Sequence, residues 1–434
     1  MSSSQAAPLP TPFHRQYARI DHRVNKHMNK LSRSLIQAAS TACCGIRWTL
    51  LAAALLAALP GVGAEPDFTR SLRQAAAGAF TIGVGLSDRI PERPKDWPLL
   101  LSQFNCVTPE NCLKPDPVQR AQGQFNFAQP DAFVDFAFSN GLQIVGHCLV
   151  WAKDDRTPPW FYRDGSNVAN GELLLARMKT HIETVVGRYR GRIAMWDVVN
   201  EALDDGTNYL RSSGWSEACG EKFIVKAFEF AHAADPQALL IYNDYNNELP
   251  DKRAKLIRLV RSLREQKVAI HAIGLQGHYE IDRVPLADIE ATLVAMRELG
   301  MKVVVSELDI DVIPRGRWWQ DGGKYRDEMS KLDPYRDGCP PELLRRQAEQ
   351  YGQLFRFFRK YSDVIARVSF WNLHDGQSWL NDFPWKRVNH PLLFDRAGLP
   401  KPAFDTVMAA LLEEAPVAER SKLQPTPAEA PRNP

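Results

Sequence analysis

Two glutamates, Glu201 and Glu307, each end a short hydrophobic run of the sequence. The run before Glu201 reads MWDVVN, and the run before Glu307 reads KVVVS. Short runs of β-branched residues bounded by polar residues indicate buried parallel strands. In α/β barrels, catalytic side chains lie at the carboxyl ends of such strands. One strand-end glutamate could equally be half of a structural ion pair, but two in matched positions predict hydrolysis of a glycosidic bond by paired carboxyl groups.

The elements that would position these glutamates alternate along the chain from about residue 80. Strand-like runs cover residues 81–87, 104–110, 143–151, 193–201, 239–245, 272–279, 302–309 and 366–373. Amphipathic helical patterns cover residues 172–189, 252–266, 286–299, 342–361 and 402–414. In the second of these, Leu256, Leu259, Val260 and Leu263 fall on one helical face. This alternation predicts a single (β/α)8 TIM barrel of the α/β class rather than an open sheet.

Polar and aromatic residues collect at the ends of the predicted strands. They are Glu110, Asn111, Lys114, His147, Trp151, Asn200, Tyr245, Gln276, His278, Asp309, Trp371 and Trp379. Polar side chains of these types hydrogen-bond sugar hydroxyl groups, and indole rings stack on the C–H face of a sugar. Leaving a buried polar group unpaired costs ~1–3 kcal/mol, so recognition of hydroxyl groups is selective. Any one of these residues could be structural, but their shared position predicts a carbohydrate site.

Several segments at these strand ends carry a family resemblance. They are TPENCLKPD from residue 108, GHCLVW from 146, WDVVNE from 196, YNDYN from 242, GLQGH from 274, VSELD from 305 and PLLFD from 391. With Trp371 and Trp379, they resemble glycoside hydrolase family 10, the retaining endo-β-1,4-xylanases. The resemblance covers about residues 70–412. It implies that residues 65–414 form a catalytic domain that cleaves internal bonds of xylan without a metal or another cofactor.

The resemblance also implies roles for the residues nearest the reaction. Glu201 would be the general acid/base and Glu307 the nucleophile, with their carboxyl groups ~5–5.5 Å apart, as a retaining enzyme requires. We expect the negative charge of Glu307 to keep Glu201 protonated near neutral pH. His278 and Asp309 would orient Glu307, and Asn200 would hydrogen-bond the sugar 2-hydroxyl group.

By the same resemblance, the remaining strand-end residues would hold the sugar chain. The residues expected on the glycone side are Glu110, Asn111, Lys114, His147, Trp151 and Gln276, with Trp371 and Trp379 as a roof. Asn243 and Tyr245 are expected on the aglycone side, where the leaving part of the chain would lie.

Two segments depart from the family pattern. AKDD from residue 152 replaces a His-rich or Ser/Gln-bearing turn, and HDGQ from residue 374 replaces a Thr-Asp-Lys type of turn. We expect both to lie beside the sugar cleft, away from the two carboxyl groups, and to affect the choice of substrate. An insertion that contains Trp318 and Trp319 could form an additional aromatic wall or a loop packed on the barrel rim.

Other functions remain open from the residues alone. A β-1,4- or mixed-linkage glucanase would use the same pair of carboxyl groups. A catalytically silent polysaccharide-binding barrel would keep the sugar contacts without turnover. A metal hydrolase could be assembled from His147, His278, Asp309 and Glu307, but the sequence contains neither HxH nor HExxH spacing.

Charge separates the start of the chain from the rest. The net charge of +3 comes from residues 1–64, which hold seven Lys or Arg residues and one acidic residue. The other 370 residues hold 47 basic and 50 acidic residues, which leaves no basic footprint for nucleic acid. We therefore expect no nucleic-acid partner, and we expect a monomer.

The two ends of the chain and two of its cysteines predict how the protein is processed after synthesis. Residues 48–59 are an apolar run after basic residues, followed by VGA, which predicts a signal peptide over 1–64 with cleavage near Ala64. Translation would start at Met1 or Met28, and the protein would be exported to the periplasm or the exterior without a membrane anchor. Residues 415–434, rich in Pro and Ala, predict a disordered tail. Cys219 and Cys339 lie in loop-like contexts and could form a disulfide.

Overall fold

The computed structural model describes residues 69–413, and eight parallel strands in this range close into a barrel. The strands are β1 (Thr81–Leu86), β2 (Cys106–Pro109), β3 (Gln143–Trp151), β4 (Met195–Asn200), β5 (Leu239–Asp244), β6 (Ala272–Leu275), β7 (Lys302–Asp311) and β8 (Ile365–Trp371). Each strand pairs in parallel with the next in sequence. β8 also pairs with β1, with Gly83 opposite Ser369, which closes the ring. The predicted (β/α)8 barrel is confirmed.

Helices connect the strands on the outside of the barrel. They are α1 (Leu72–Ala75), α2 (Trp97–Gln103), α3 (Pro115–Val118), α4 (Ala128–Ser139), α5 (Gly171–Arg188), α6 (Gly214–Cys219), α7 (Lys222–Ala234), α8 (Pro250–Glu265), α9 (Leu286–Glu298), α10 (Arg326–Met329), α11 (Pro341–Lys360) and α12 (Pro402–Leu412). The apolar stripe predicted on α8 is buried, with Leu256, Leu259, Val260 and Leu263 fully enclosed. The large core therefore lies between the strands and the helices.

A second, smaller core fills the inside of the barrel. It consists of Cys106, Val145, Met195, Leu239, Ile241, Ala272 and Val304, from six neighbouring strands. Towards the carboxyl ends of the strands, the side chains inside the barrel are polar, and His147 of β3 contacts Asp197 of β4. The apolar layer forms a floor, and the polar layer above it opens at the strand ends.

Irregularities in the strands determine where the side chains at this end point. The register shifts between His147 and Val150 where β3 pairs with β4, and between Val305 and Leu308 where β7 pairs with β8. Bulges of this kind re-aim side chains and are common beside active sites. The predicted strand 272–279 is also interrupted, because β6 ends at Leu275 and a separate short strand, His278–Glu280, pairs with the end of β7.

The predictions for the two ends of the chain, a signal peptide at 1–64 and a tail at 415–434, lie outside the described residues. Within residues 69–413, no helix is long and apolar enough to cross a membrane. Cys219 and Cys339 are free thiols in this structure and do not form the disulfide that the sequence left open. Cys106 on β2 and Cys148 on β3 are fully buried.

Candidate active site

Glu201 follows the last residue of β4 and adopts a backbone conformation that is unusual for a side chain of its size. Its φ is 59°, in the left-handed region that residues other than glycine rarely occupy. The residue as a whole is only 5% exposed. Nε1 of Trp151 donates to its Oε2 at 3.0 Å, and Nε2 of Gln276 donates to its Oε1 at 3.0 Å. A strained backbone that presents a buried carboxyl group to fixed donors is typical of a functional position.

A third contact of Glu201 was not expected. Nζ of Lys153 lies 2.6 Å from Oε2 of Glu201. Burial raises the pKa of Glu201, but the charge of Lys153 and the donors from Lys153, Gln276 and Trp151 outweigh it and lower the pKa to about 2. The free site therefore holds Glu201 as a carboxylate, in contrast to the expectation that Glu307 would keep it protonated.

Glu307 lies in the middle of β7, just before Leu308, and is equally buried, at 5% exposure. Nδ2 of Asn243 donates to its Oε1 at 2.7 Å, and Nε2 of His278 lies 3.2 Å from its Oε2. Burial raises the pKa of Glu307, but the hydrogen bond and charge of His278, the charge of His147 and the Asn243 donor together lower it. Glu307 is thus maintained as an anion with two fixed hydrogen-bond partners.

His278 connects Glu307 to a second carboxylate and to the predicted roof. Its Nδ1 lies 3.0 Å from Oδ2 of Asp309, and Nε1 of Trp379 donates to that same oxygen at 2.8 Å. Burial lowers the pKa of His278, but Asp309 and Glu307 overcome this effect and raise it to about 9. At neutral pH both ring nitrogens carry protons and donate to the two carboxylates. The predicted orienting role of His278 and Asp309 agrees with this geometry.

Asn243 joins the two glutamates. Besides donating to Glu307, its Nδ2 lies 3.0 Å from Oδ1 of Asn200, and Oγ of Ser306 donates to its Oδ1 at 2.6 Å. The backbone N–H of Glu201 donates to the carbonyl of Asn243 at 2.9 Å. The side chain of Asn243 lies between Asn200 and Glu307, and its expected place on the aglycone side stays a prediction.

The residues predicted for the glycone side line one wall of the site. Nδ1 of His147 lies 2.8 Å from Oδ2 of Asp197, which fixes the imidazole, and the His147 ring packs edge-on to Trp371 at 5.5 Å. Lys114 bonds Oδ1 of Asn111 at 3.0 Å and lies 4.8 Å from the centre of the Trp151 ring.

Glu110 completes this wall. Nδ2 of Asn372 donates to Oε2 of Glu110 at 3.1 Å, and burial raises the pKa of Glu110 while the charge of Lys114 opposes the rise. Asn372 comes directly after β8 with φ of 86°. It also holds the roof, because its Oδ1 accepts from the backbone N–H of Trp379 at 2.8 Å.

Tyr245 lies on the Lys153 side of Glu201. Its hydroxyl group donates to Oδ2 of Asp205 at 2.7 Å and accepts from Nη2 of Arg211 at 2.5 Å. Nε of Arg211 in turn donates to the backbone carbonyl of Glu201 at 2.9 Å. Nζ of Lys153 lies 5.3 Å from the centre of the Tyr245 ring. The predicted aglycone-side residue is therefore part of the network that supports Glu201.

The two segments that depart from the family pattern have different roles. The expectation that AKDD lies away from the carboxyl groups was wrong, since its Lys153 contacts Glu201 directly. HDGQ makes its contacts elsewhere in the barrel, and its effect on the choice of substrate stays a prediction. The buried Asp375 accepts from Nζ of Lys401 at 2.9 Å and from the N–H of Leu392 at 2.8 Å, while Gln377 donates to Asp96 at 2.7 Å.

The insertion after β7 contributes aromatic rings at the rim of the barrel. Trp318 stacks on Trp385 at 5.2 Å, as a rim-packed loop would. Trp319 is 52% exposed and lies 5.9 Å from Phe383, which stacks on Trp379 at 4.8 Å. A row of rings therefore runs from the roof of the site to the surface.

The chief residues missed by reasoning from sequence are Lys153, Asn372, Asp197, Arg211 and Ser306. Lys153 stood out as a departure from the pattern, and Asp197 lies within the WDVVNE segment. Nothing local in the sequence indicates that Asn372 adopts a positive φ or that Arg211 reaches back to Glu201. Among residues 69–413, no group of three or more His, Cys, Asp or Glu residues could hold a metal ion.

Comparison with known proteins places this arrangement in a family. Residues 71–410 match the profile of glycosyl hydrolase family 10. The chain belongs to that family. The family 10 match spans all eight strands and both glutamates, so the resemblance identified from the sequence segments is confirmed.

Relatives and solved structures agree with the family assignment. An endo-1,4-beta-xylanase of Geobacillus stearothermophilus is 41% identical over an alignment of 342 residues, and the match covers 77% of this chain and 96% of that protein. The structure of a GH10 endoxylanase from a sugarcane soil metagenome has a TM-score of 0.73 at 37% identity and covers 79% of this chain and 99% of its own. A mutant structure in complex with xylotriose has a TM-score of 0.71 at 34% identity and covers 78% of this chain and 99% of its own.

Proposed function

We propose that this family 10 protein is a retaining endo-β-1,4-xylanase that hydrolyses internal bonds of xylan by double displacement. The observation that carries the proposal is that two buried glutamates have different hydrogen-bond and ionic partners. Glu307 is held as an anion by Asn243 and by a protonated His278, while Glu201 lies at the side of the site that carries Tyr245 and Lys153. The relatives named as xylanases supply the substrate class.

In the first step, Glu307 is the nucleophile. One of its carboxylate oxygens bonds to the anomeric carbon as the bond from that carbon to the leaving oxygen breaks. Glu201, in its protonated form, transfers its proton to the leaving oxygen, and the product is a glycosyl ester of Glu307. His278 and Asn243 steer the attacking oxygen, because they hold both oxygens of Glu307 in fixed positions.

In the second step, Glu201 acts as a base. Its carboxylate takes a proton from water, the water oxygen bonds to the anomeric carbon, and the ester bond to Glu307 breaks. The anomeric configuration is retained because each displacement inverts it once. Asn200 lies between the two glutamates, through Asn243 on one side and Glu201 on the other, where it can contact the sugar 2-hydroxyl group.

The substrate would lie along the open end of the barrel. We assign the glycone side to Glu110, Asn111, Lys114, His147, Trp151 and Gln276, with Trp371 and Trp379 above, and the aglycone side to Tyr245. A roof as close to the nucleophile as Trp379 favours xylose, which lacks a hydroxymethyl group at C5. We further propose that the enzyme acts as an exported monomer after loss of residues 1–64, a proposal that rests on the sequence alone.

Product analysis on glucuronoxylan, arabinoxylan and barley glucan, with proton NMR of the first product formed from xylohexaose, tests the proposal. We expect xylo-oligosaccharides from both xylans and an initial β-anomer. Faster turnover of barley glucan would identify a glucanase, and an initial α-anomer would exclude double displacement. Binding of xylan without new reducing ends would identify a silent polysaccharide-binding barrel.

A further inference from the structure

Lys153 lies near Tyr245, on the side of Glu201 assigned above to the leaving sugar. It follows Ala152 in the segment after β3, and its ammonium group lies 2.6 Å from Oε2 of Glu201. About a third of its side chain, 30%, is exposed, whereas the Glu201 side chain is 7% exposed. The ammonium group is 5.9 Å from the centre of the Trp151 ring and 5.3 Å from that of Tyr245. Lys153 therefore forms the solvent-facing cover of the carboxyl group.

The other charged and titratable groups that act on Glu201 come from several elements. They are Cys148 on β3, Arg211 after β4, and Asp244 and Tyr245 at the end of β5. Arg211 bonds the backbone carbonyl of Glu201 rather than its carboxylate, and Asp244 is paired with Lys252 at 2.9 Å. The direct ionic partner of the Glu201 carboxylate is Lys153.

This contact has opposite consequences for the two steps of the reaction. An adjacent ammonium group stabilises a carboxylate and opposes its protonation. The first step needs protonated Glu201, so the contact with Lys153 opposes it. The second step begins with deprotonated Glu201, and the same contact keeps Glu201 in that form until water attacks.

We propose that Lys153 is a positioning residue that biases Glu201 towards its role as the base of the second step and is displaced when the leaving sugar binds. This rests on the proposed double displacement. With the leaving sugar present, Lys153 turns towards Tyr245, and Glu201 keeps its neutral donors from Trp151 and Gln276 while it takes up a proton. After the proton has passed to the leaving oxygen and that sugar has departed, Lys153 returns to the carboxylate that will deprotonate water.

The test separates the two steps by choice of substrate. With 2,4-dinitrophenyl β-xylobioside, whose leaving group needs no proton, kcat is limited by the second step; with xylohexaose, kcat/KM reports the first. We expect Lys153→Met to move the acid limb of kcat on the aryl substrate to higher pH by about one unit or more, because Glu201 is then protonated over a wider pH range and cannot act as a base there. We expect the same variant to move the alkaline limb of kcat/KM for xylohexaose to higher pH. Between the two limbs, the ratio of kcat/KM of the variant to that of the wild type should rise about tenfold per pH unit.

Two further variants and a direct titration complete the experiment. Lys153→Arg retains the charge and should restore both values, whereas a merely structural role would not depend on charge. Arg156→Met, which removes a neighbouring cation 5.5 Å from the Trp151 ring, should change neither. Carbon-13 NMR of labelled glutamate carboxyl groups should show a higher pKa for Glu201 in Lys153→Met than in the wild type.

Wild-type values in Lys153→Met for the NMR pKa of Glu201, the alkaline limb on xylohexaose and the acid limb of kcat on the aryl substrate would overturn the inference. Failure of the proposed function has a different signature. An α-anomer from xylohexaose, or full activity of Glu201→Ala, would contradict double displacement whatever the Lys153 variants do.

Discussion

The indole Nε1 of Trp379 donates a 2.8 Å hydrogen bond to Oδ2 of Asp309, the oxygen that His278 also contacts at 3.0 Å. Since His278 extends from Asp309 to Glu307, the roof of the sugar site and the proposed nucleophile share one hydrogen-bonded chain. Substrate contacts at the roof are therefore coupled to the position of the attacking carboxylate.

Replacement of Trp379 by Phe should lower kcat/KM for xylohexaose by roughly tenfold to a hundredfold. The substitution keeps an aromatic ring against Phe383 but removes the donor to Asp309, and a lost hydrogen bond to a charged group costs ~1.5–3 kcal/mol. Initial-rate kinetics provide the measurement. Trp319→Phe, at an exposed position of the same row of rings, is the matched control and should retain wild-type kinetics.

His278→Gln should move the acid limb of kcat/KM to higher pH. The protonated imidazole lowers the pKa of Glu307, so a neutral side chain allows that pKa to rise. Glu307 must be ionised to attack, and activity is then lost at a higher pH than in the wild type. The check is a pH profile on an aryl xylobioside, which needs little acid assistance. An unmoved acid limb would show that His278 does not set the ionisation of Glu307.

The stability of the protein should depend on pH through His278. Its pKa rises from 6.5 to about 9 on folding, so the folded state binds the proton more tightly than the unfolded state. The resulting stabilisation is complete below pH ~6.5 and is lost as the pH rises through about 9. Urea unfolding between pH 6 and 10 measures the effect. The free energy of unfolding of His278→Gln should lack this part of the decline, and parallel curves for the two proteins would contradict the assignment.

Glu307→Ala should retain binding of xylo-oligosaccharides while turnover falls by several orders of magnitude. The substitution removes the atom that bonds to the anomeric carbon but leaves the glycone wall of Glu110, His147 and Trp151 in place. Calorimetry with xylotriose and reducing-end assays on xylan give the two quantities. Near-normal turnover would refute the role of Glu307 as nucleophile.

Glu201→Ala should lose activity in proportion to the need for acid assistance in the first step. Turnover of xylan should fall steeply, whereas the first step with a dinitrophenyl leaving group should persist, because that group departs without a proton. Added azide should then raise the rate by replacing the water that Glu201 would activate. An equal loss for good and poor leaving groups, without azide rescue, would count against the acid/base role.

Local patterns in the sequence were sufficient for the fold and for most of the site. The β-branched runs before Glu201 and Glu307 are typical of strands, and the spacing of Leu256, Leu259 and Leu263 follows the helical period of 3.6 residues. Both patterns depend only on residues that are neighbours in the sequence. β3 begins and ends at the predicted residues. The barrel then brings strand ends together at one mouth, so residues far apart in sequence could be assigned to one site.

Side-chain direction and pairing were decided by the tertiary structure. Three departures from regular geometry cannot be read from the spacing of hydrophobic residues. They are the positive φ of Glu201, the register shift before Leu308 and the break after Leu275. Lys153 was misplaced for the same reason, since its partner Glu201 follows another strand. The sequence determined which chemical groups surround the mouth of the barrel. Only the closed barrel decided that Lys153 contacts Glu201 and that Asn243 lies between Asn200 and Glu307, because contacts across the mouth depend on how all eight strands meet.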